Sequence, residues 1–242
     1  MATTCKNCPL RTQPVFMGMS TEDVARMQRF KSGELSVEPG THILNEGSNT
    51  PQLFTALSGM GVRYKTLPDG RKQVINLIFP GDFIGLQAGV LGEMSHSVEA
   101  TTEMTLCVFD RSSFYEWFSA NPTRAFDLTW LAATEEHFLG EALLTLGQRS
   151  AIGALAWAMV RLFARGEGTG LVRNGAMPLP FRQQDIADSL GLSLVHTNKT
   201  LARLRERDLL SWSDGILRIY DKPALMEIAQ MDTAKAPRRP LI

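Results

Sequence analysis

The residues best suited to chemistry lie close together late in the chain, and their side chains are of the types that read DNA bases. Asn198 and Lys199 carry amide and ammonium groups that hydrogen-bond to base edges in the major groove, and the methyl groups of Val195 suit the methyl group of thymine. Lys199, Arg203 and Arg207 recur every four residues, so on a helix they form one cationic stripe. A stripe of this kind favours contact with phosphate groups.

The elements predicted around these residues are two helices joined by a tight turn. Apolar side chains have helical spacing in the first helix, from Gln183 to Leu190, and Gly191 gives the backbone freedom that a sharp turn requires. Ser193 is placed to cap the second helix, which is predicted from Leu194 to Arg207. This order is typical of a helix-turn-helix whose second helix enters the major groove.

A hairpin predicted after the second helix completes the unit. Strands at Leu209–Trp212 and Ile216–Tyr220 flank the turn residues Ser213, Asp214 and Gly215, which suits the wing of a winged helix-turn-helix. An alternative is a helical hairpin on a small sheet whose cations are merely solvated. The near balance of five Lys or Arg against four Asp or Glu in residues 181–210 leaves that alternative open.

Length and composition describe an ordinary globular protein with room for two domains. The chain has 242 residues and a formal net charge of zero, so affinity for nucleic acid must come from a local patch. We expect a cytoplasmic protein without a membrane partner, because no apolar run approaches a membrane span and the first residues carry no export signal. Three cysteines do not make a disulfide framework. We expect no enzyme, because phosphate-binding loops, nucleophile elbows and HExxH pairs are absent from the sequence.

Changes in periodicity predict an α+β protein of three parts. Residues 1–120 form the first part, a cysteine-containing segment followed by a region from Leu35 to Asp110 in which turn residues recur every eight to twelve positions, which indicates an all-β barrel or sandwich. Residues 121–147 predict one long helix, and residues 148–242 open with a helix at 148–164 and carry the helix-turn-helix. The tail from Ala234 to Ile242 is expected to be frayed. The clearest strands are predicted at Leu53–Leu57, Gly61–Thr66, Gln73–Phe79 and Thr105–Phe109.

The long helix carries an apolar seam that predicts a homodimer interface. A helix of about 25 residues is typical of a helix that packs against the same helix of a second copy of the chain. Because the heptads are imperfect, the alternative is a helix packed on the β domain of its own chain. The seam consists of Leu128, Leu131, Phe138, Ala142 and Leu146.

The three parts and two short motifs resemble the Crp/Fnr family of bacterial transcription regulators. The motifs are EPGTHILNEG at residues 38–47 and PGDFIG at residues 80–85, and the resemblance extends from about Cys5 to Ile228. It implies a β-roll like a cyclic-nucleotide-binding domain, a dimerisation helix and a winged helix-turn-helix. It also implies a dimeric activator that binds promoter DNA at two half-sites and contacts RNA polymerase.

The resemblance assigns the base contacts to the start of the second helix, at Leu194, Val195, Asn198 and Lys199. Relatives often carry glutamate at the position of Val195, and valine cannot accept a hydrogen bond from cytosine. We therefore expect a half-site that departs from the commonest boxes of the family. Phosphate contacts, which orient the protein without specifying sequence, are expected from Arg182, Gln183, Ser193, His196 and Arg203.

The cysteines suggest what the sensor domain detects. In oxygen-sensing members of the family, N-terminal cysteines and a strand cysteine hold a [4Fe–4S] cluster, and Cys5, Cys8 and Cys107 match three of the four positions. Pro14 stands where the remaining cysteine is expected, so a cluster would need a fourth ligand from elsewhere, such as water, a carboxylate or a histidine. The resemblance therefore predicts a response to oxygen or redox state through a cluster or through thiols. Alternatives are a buried structural Cys107, and Cys5 with Cys8 as a relic, a redox pair or half of a zinc site.

A second sensor hypothesis places a small ligand or haem in the β-roll. Cyclic AMP in the usual mode is not expected, because Gln87 and His96 stand about where the family's acid and arginine bind the nucleotide. A cyclic phosphate without a fixed cation would be poorly compensated. His42, His96 and His137 are candidate haem or metal ligands, although each better suits a surface or hydrogen-bonded histidine.

Overall fold

The computed structural model describes residues 2–232 and 238–242, and these residues fold into two compact units. The first unit comprises Met1–Ala133 and Arg238–Ile242, and the second comprises Thr134–Pro237. Within the described ranges, the α-helices are α1 Thr21–Phe30, α2 Leu86–Leu91, α3 Phe114–Ala120, α4 Pro122–Gln148, α5 Ala151–Gly168, α6 Gln183–Ser189, α7 Leu194–Glu206 and α8 Lys222–Ile228.

The strands of the described residues fall into three antiparallel sheets, which mix with the helices as the α+β prediction requires. The strands are β1 Lys31–Val37, β2 His42–Leu44, β3 Gln52–Ser58, β4 Gly61–Thr66, β5 Lys72–Ile78, β6 Phe83–Ile84, β7 Ser97–Ala100, β8 Met104–Asp110, β9 Ala176–Pro178, β10 Leu210–Ser213 and β11 Ile216–Ile219.

Two four-stranded sheets make the β-roll of the first unit. Their strand orders are β1-β8-β3-β6 and β2-β7-β4-β5, and the buried residues of both sheets share one apolar core. The four strands predicted from sequence are all present, with each end within one residue of its predicted position. The β-roll prediction is therefore confirmed.

The long helix was predicted over residues 121–147 and runs from Pro122 to Gln148. The next helix was predicted from residue 148 but starts at Ala151, because Ser150 interrupts the helical backbone and its hydroxyl accepts a hydrogen bond from the Gly153 amide at 3.3 Å. None of the helices described is both long and apolar enough to cross a lipid bilayer.

The second unit is organised around α5, which is buried over most of its length. Helices α7 and α8 pack against α5, and α6 packs against α7. The strands β10 and β11 form the predicted hairpin, with Asp214 and Gly215 both at positive φ as a two-residue turn requires. Strand β9 extends this small sheet in the order β10-β11-β9.

The end of the chain differs from the sequence prediction. Residues 238–242 are packed on the first unit rather than frayed, and Leu241 and Ile242 are only 6% and 5% exposed. A frayed tail was predicted because terminal residues are usually poorly ordered unless distant contacts hold them, and here residues more than 150 positions earlier supply such contacts. The part of that prediction on residues 234–237 lies outside the described residues.

Candidate DNA interface and cysteine pocket

The start of α7 is held in place by its turn and its cap. Gly191 has a φ of 62°, a conformation that glycine adopts without strain, and the next amide, of Leu192, donates to the Ala187 carbonyl at 3.0 Å. The Ser193 hydroxyl accepts from the His196 amide at 3.2 Å and so satisfies one unpaired donor of the first turn. The direction in which α7 leaves α6 is therefore fixed by local interactions.

Helix α7 has one buried and one exposed face. Thr197, Thr200, Leu201 and Leu204 are buried, and the Thr200 hydroxyl donates to the His196 carbonyl at 2.8 Å, which explains how a threonine is tolerated inside. The residues expected to contact bases all lie on the exposed side: Leu194 is 38% and Val195 64% exposed, and Asn198 and Lys199 are also exposed. Amide, ammonium and methyl groups are thus presented together near the helix start.

The residues expected to contact phosphates have more varied surroundings. His196 and Arg203 are exposed, and Gln183 is half-buried. The Arg182 guanidinium is largely exposed but forms an ion pair of 2.7 Å with the buried carboxylate of Asp185. Because the Asp185 carboxylate also accepts from the Arg182 amide at 2.9 Å, this pair fixes the start of α6 as well as placing a cation on the surface.

The hairpin adds side chains that the sequence prediction did not single out. The Trp212 indole donates to the Leu179 carbonyl at 3.0 Å, which ties β10 to the segment before α6. Arg218 is exposed on β11 and carries a positive charge on the wing. Isolated residues of this kind give no periodic signal, which is why sequence inspection missed them.

The three cysteines line one small cavity of the first unit. Cys5 begins a 3-10 turn, Cys8 follows that turn, and Cys107 lies on β8 in register with Glu34 of β1 and Thr55 of β3. The cavity has a volume of about 40 Å³ and lies against Leu241 and Ile242 from the end of the chain. The predicted convergence of the three thiols is therefore seen in the fold.

A buried cation accompanies these thiols. The Lys31 side chain is 4% exposed, and its ammonium group donates to the Glu34 carboxylate at 2.6 Å and to the Thr3 carbonyl at 2.7 Å. Burial raises the pKa of Cys107 to about 11, even though the nearby Lys31 lowers it, and burial likewise raises the pKa of Cys5. At neutral pH these two thiols are protonated and weak nucleophiles.

The cavity does not fit a [4Fe–4S] cluster held by four thiolates. The chain has three cysteines, and the described residues contain no group of three or more His, Cys, Asp or Glu arranged to hold a metal ion. The cavity volume of about 40 Å³ is well below the roughly 150 Å³ of an apolar cavity that binds benzene. The pocket as folded is therefore a thiol pocket.

The positions that the resemblance assigned to nucleotide binding, Gln87 and His96, are taken up by internal contacts or buried. The Gln87 carboxamide oxygen accepts from the Ser95 hydroxyl at 2.6 Å. His96 is 5% exposed, and burial, together with Arg63 and Lys65, lowers its pKa to about 3. His96 is therefore neutral at physiological pH and supplies no cation for a phosphate.

The predicted dimer seam is divided between buried and exposed positions. Leu128 is 2% exposed within the first unit's core, and Leu131 packs against the same core, so Leu128 is not free for a dimer contact. Phe138 stacks on Trp157 of α5 with ring centroids 6.3 Å apart, because its position faces the second unit's own core. Ala142 is half-buried, and Leu146 is 42% exposed.

Exposed leucines that the seam prediction missed lie beside Leu146. Leu139 is 40% and Leu143 69% exposed. With Leu146 they have the spacing i, i+4, i+7, which places all three on one side of α4. On a helical wheel Leu139 and Leu143 share a face with Leu146. The seam prediction started from residue 128 and therefore missed these two leucines.

Comparisons with known proteins agree with both units. The family "Cyclic nucleotide-binding domain" matches residues 34–121, and the "Crp-like helix-turn-helix domain" matches residues 153–228. The nitrogen fixation regulation protein FixK of Bradyrhizobium diazoefficiens is 29% identical over 230 residues, which cover 92% of each chain.

Two further comparisons extend over most of the chain. The transcriptional activatory protein AadR of Rhodopseudomonas palustris is 32% identical over 188 residues, which cover 76% of this chain and 75% of that protein. The structure of FixK2 from Bradyrhizobium japonicum aligns with a TM-score of 0.74 and 25% identity, covering 84% of this chain and 98% of that one. With a β-roll, a long helix and a winged helix-turn-helix in the same order, the chain belongs to the Crp/Fnr family of transcription regulators.

Proposed function

We propose that this protein is a homodimeric regulator that binds a two-fold symmetric DNA site through α7. The observation that carries the proposal is the exposed face of α7, where Val195, Asn198 and Lys199 stand together beside a helix start fixed by Ser193. Asn198 suits adenine, Lys199 suits guanine, and Val195 suits the thymine methyl. Leu194 adds apolar contact, and His196 and Arg203 bind the flanking phosphates.

The dimer forms through the exposed stripe of α4. Leu139, Leu143 and Leu146 leave apolar surface on one side of a 27-residue helix, and a second copy of the same stripe covers it by two-fold symmetry. Two copies of α7 then contact half-sites about one DNA turn apart. RNA polymerase is the partner that such a promoter-bound regulator engages.

The sensor responds to redox state through thiols. Cys5, Cys8 and Cys107 share one cavity, which supports a chemical connection among them. In the proposed step, two of these thiols form a disulfide, and their two protons and two electrons reduce one hydrogen peroxide to two waters. A four-thiolate cluster is not part of the proposal, because the pocket does not fit it.

Selection from random DNA tests the DNA-binding proposal. The purified protein is incubated with duplexes that carry a random segment of about three helical turns, and bound DNA is recovered and sequenced over several rounds. We expect an inverted repeat with half-site centres about 10 base pairs apart. Enrichment of no motif, or of a single unrepeated half-site by a monomer, would refute the proposal.

Peroxide treatment tests the thiol proposal. Mass spectrometry of the oxidised protein is expected to find a disulfide between two of the three cysteines, with a changed affinity for the selected DNA that dithiothreitol reverses. The Cys107→Ser variant should lose any disulfide that includes Cys107. If peroxide leaves all three thiols and the DNA affinity unchanged, the thiols are not the sensor.

A further inference from the structure

The last five residues of the sequence sit in a binding groove of the first unit. The Arg239 amide donates to the Val15 carbonyl at 2.8 Å, and the Met17 amide donates to the Arg239 carbonyl at 2.8 Å. These two bonds form a parallel β-bridge between Phe16 and Arg239. The segment thus pairs through one isolated β-bridge with the residues that follow the Cys5–Cys8 region, a minimal form of the backbone pairing by which sheets bind peptides.

Arg239 fixes the register of this segment. Its guanidinium forms an ion pair of 2.8 Å with the Asp82 carboxylate, and both side chains are largely buried. The guanidinium carbon also lies 5.9 Å from the centroid of the Phe16 ring. Phe16 is 4% exposed and lies against Gly81, where a Cβ would collide with the ring, so the groove is shaped to hold this aromatic beneath the segment.

The two aliphatic residues after Pro240 enter the cysteine pocket. Leu241 packs with Leu10, Phe16 and Leu57, and Ile242 packs with the aromatic core around Phe109. The Ile242 carbonyl accepts a hydrogen bond of 2.6 Å from the Thr55 hydroxyl, which is buried on β3 opposite Cys107. A buried polar group without a partner is costly, so this bond specifies a seated segment at the floor of the pocket.

We propose that Arg238–Ile242 form a strap that covers one side of the cysteine pocket, and that seating of the strap controls how fast small thiol-directed oxidants or electrophiles react with Cys5, Cys8 and Cys107, which are half-buried with the strap in place. The occupant of the groove is this segment of the chain itself. Two aliphatic side chains fill the space beside the thiols and leave a cavity of about 40 Å³. Release of the strap removes the side chains of Leu241 and Ile242 from beside Cys107 and so should speed its reaction with a peroxide or an alkylating agent.

The strap also affects the protonation state of the thiol that it covers. Burial raises the pKa of Cys107 to about 11, so this thiol is protonated at neutral pH while the strap lies beside it. Release exposes the pocket to water and so favours the thiolate that reacts. Along the chain the strap follows the winged helix-turn-helix. The proposed control of thiol reactivity by the strap rests on the thiol pocket of the proposed function but not on DNA binding.

Site-resolved alkylation tests the strap. The full-length protein, a variant lacking residues 238–242, Arg239→Ala and the matched control Arg238→Ala are treated with iodoacetamide under native conditions, and mass spectrometry follows each cysteine. Arg238 is exposed next to Arg239, so its substitution removes the same charge without the ion pair to Asp82. We expect Cys107 alkylation at least tenfold faster in the truncated protein, severalfold faster in Arg239→Ala and unchanged in Arg238→Ala.

A synthetic peptide of residues 235–242, KAPRRPLI, completes the test. Added to the truncated protein it should slow Cys107 alkylation again, whereas the same peptide with Ala in place of Arg239 should not. Circular dichroism checks that each variant is folded, and if the truncated protein is not, Arg239→Ala carries the comparison. Equal alkylation rates in wild type and a folded Arg239→Ala would overturn the strap. Such a result would leave the proposed disulfide formation with peroxide standing, because the alkylation rate does not depend on whether a disulfide can form.

Discussion

Replacing Lys199 by alanine probes the centre of the proposed DNA interface. Lys199 is exposed in the first half of α7, so the substitution should leave folding stability within about 0.5 kcal/mol of wild type. Alanine has high helix propensity and does not disturb the helix. Any large loss of DNA affinity therefore reports on the contact with DNA and not on the fold.

The size of the effect follows from the two copies of Lys199 that a dimer places on its operator. Removing one base contact costs about 1–3 kcal/mol, and the substitution removes one from each half-site. Binding to the selected operator should weaken by about 2–6 kcal/mol, which is roughly thirtyfold at the lower end. Binding to random DNA loses only two charges that neutralise phosphates, so its affinity should fall much less. The slope of the logarithm of the binding constant against the logarithm of the salt concentration should decrease in magnitude by about 1.8.

Fluorescence anisotropy titrations at several salt concentrations measure both quantities. Arg205→Ala is the matched control, because Arg205 is an exposed cation on the same helix, six residues or about 9 Å further from the helix start. It should weaken operator and random DNA by similar small factors. The reasoning fails if Lys199→Ala leaves operator affinity intact, or if it weakens operator and random DNA equally, as Arg205→Ala should.

Three further predictions concern the dimer, the buried histidine and the turn. Leu143→Glu should raise the dimer dissociation constant, measured by analytical ultracentrifugation, at least tenfold, because it places a charge in the proposed stripe. The control Leu144→Glu should leave the constant unchanged, because Leu144 is 46% exposed on another side of α4. The pKa of His96 is lowered to about 3 by burial, so the unfolded chain takes up the proton first as pH falls below about 6.5. Stability should therefore drop by about 2 kcal/mol between pH 7 and 5 through this group, and urea titrations of His96→Gln should lack that part of the drop. Gly191→Ala should lower the unfolding free energy by about 1 kcal/mol, because alanine is strained at the positive φ of this position. Gly140→Ala should raise the unfolding free energy by up to about 1 kcal/mol, because Gly140 lies within α4 and a Cβ there meets open space. A change of the same sign in both variants would contradict the turn analysis.

Elements defined by local signals could be predicted from the sequence. Ser193 and Gly191 mark the start of α7, and regular turn residues mark the β-roll, because capping and turn preferences act between near neighbours. The family resemblance added the convergence of Cys5, Cys8 and Cys107, which no periodicity could supply. The exposed face of α7 followed from the same helical periodicity that buried Thr197 and Leu204.

Features that depend on distant contacts could not be predicted. The seat of the chain's last residues depends on an ion pair between Arg239 and Asp82, 157 positions apart, and a polar tail with two prolines gives no sign of it. The burial of Leu128 and the stacking of Phe138 on Trp157 likewise depend on what α4 meets in each unit. An apolar seam on a helix predicts that something covers it, but not whether the cover is the same chain or a second copy.

Specificity at Val195 tests the central claim most directly, because it asks whether α7 reads bases in the major groove. Random-site selection is run in parallel with the wild-type protein and with Val195→Glu, whose carboxylate accepts a hydrogen bond from cytosine. We expect Val195→Glu to change the preferred base at one position, symmetrically in both half-sites, in favour of cytosine, and to leave the other positions and the spacing unchanged. An unchanged motif, or a loss of affinity with no new preference at any single position, would contradict the placement of α7 against the bases.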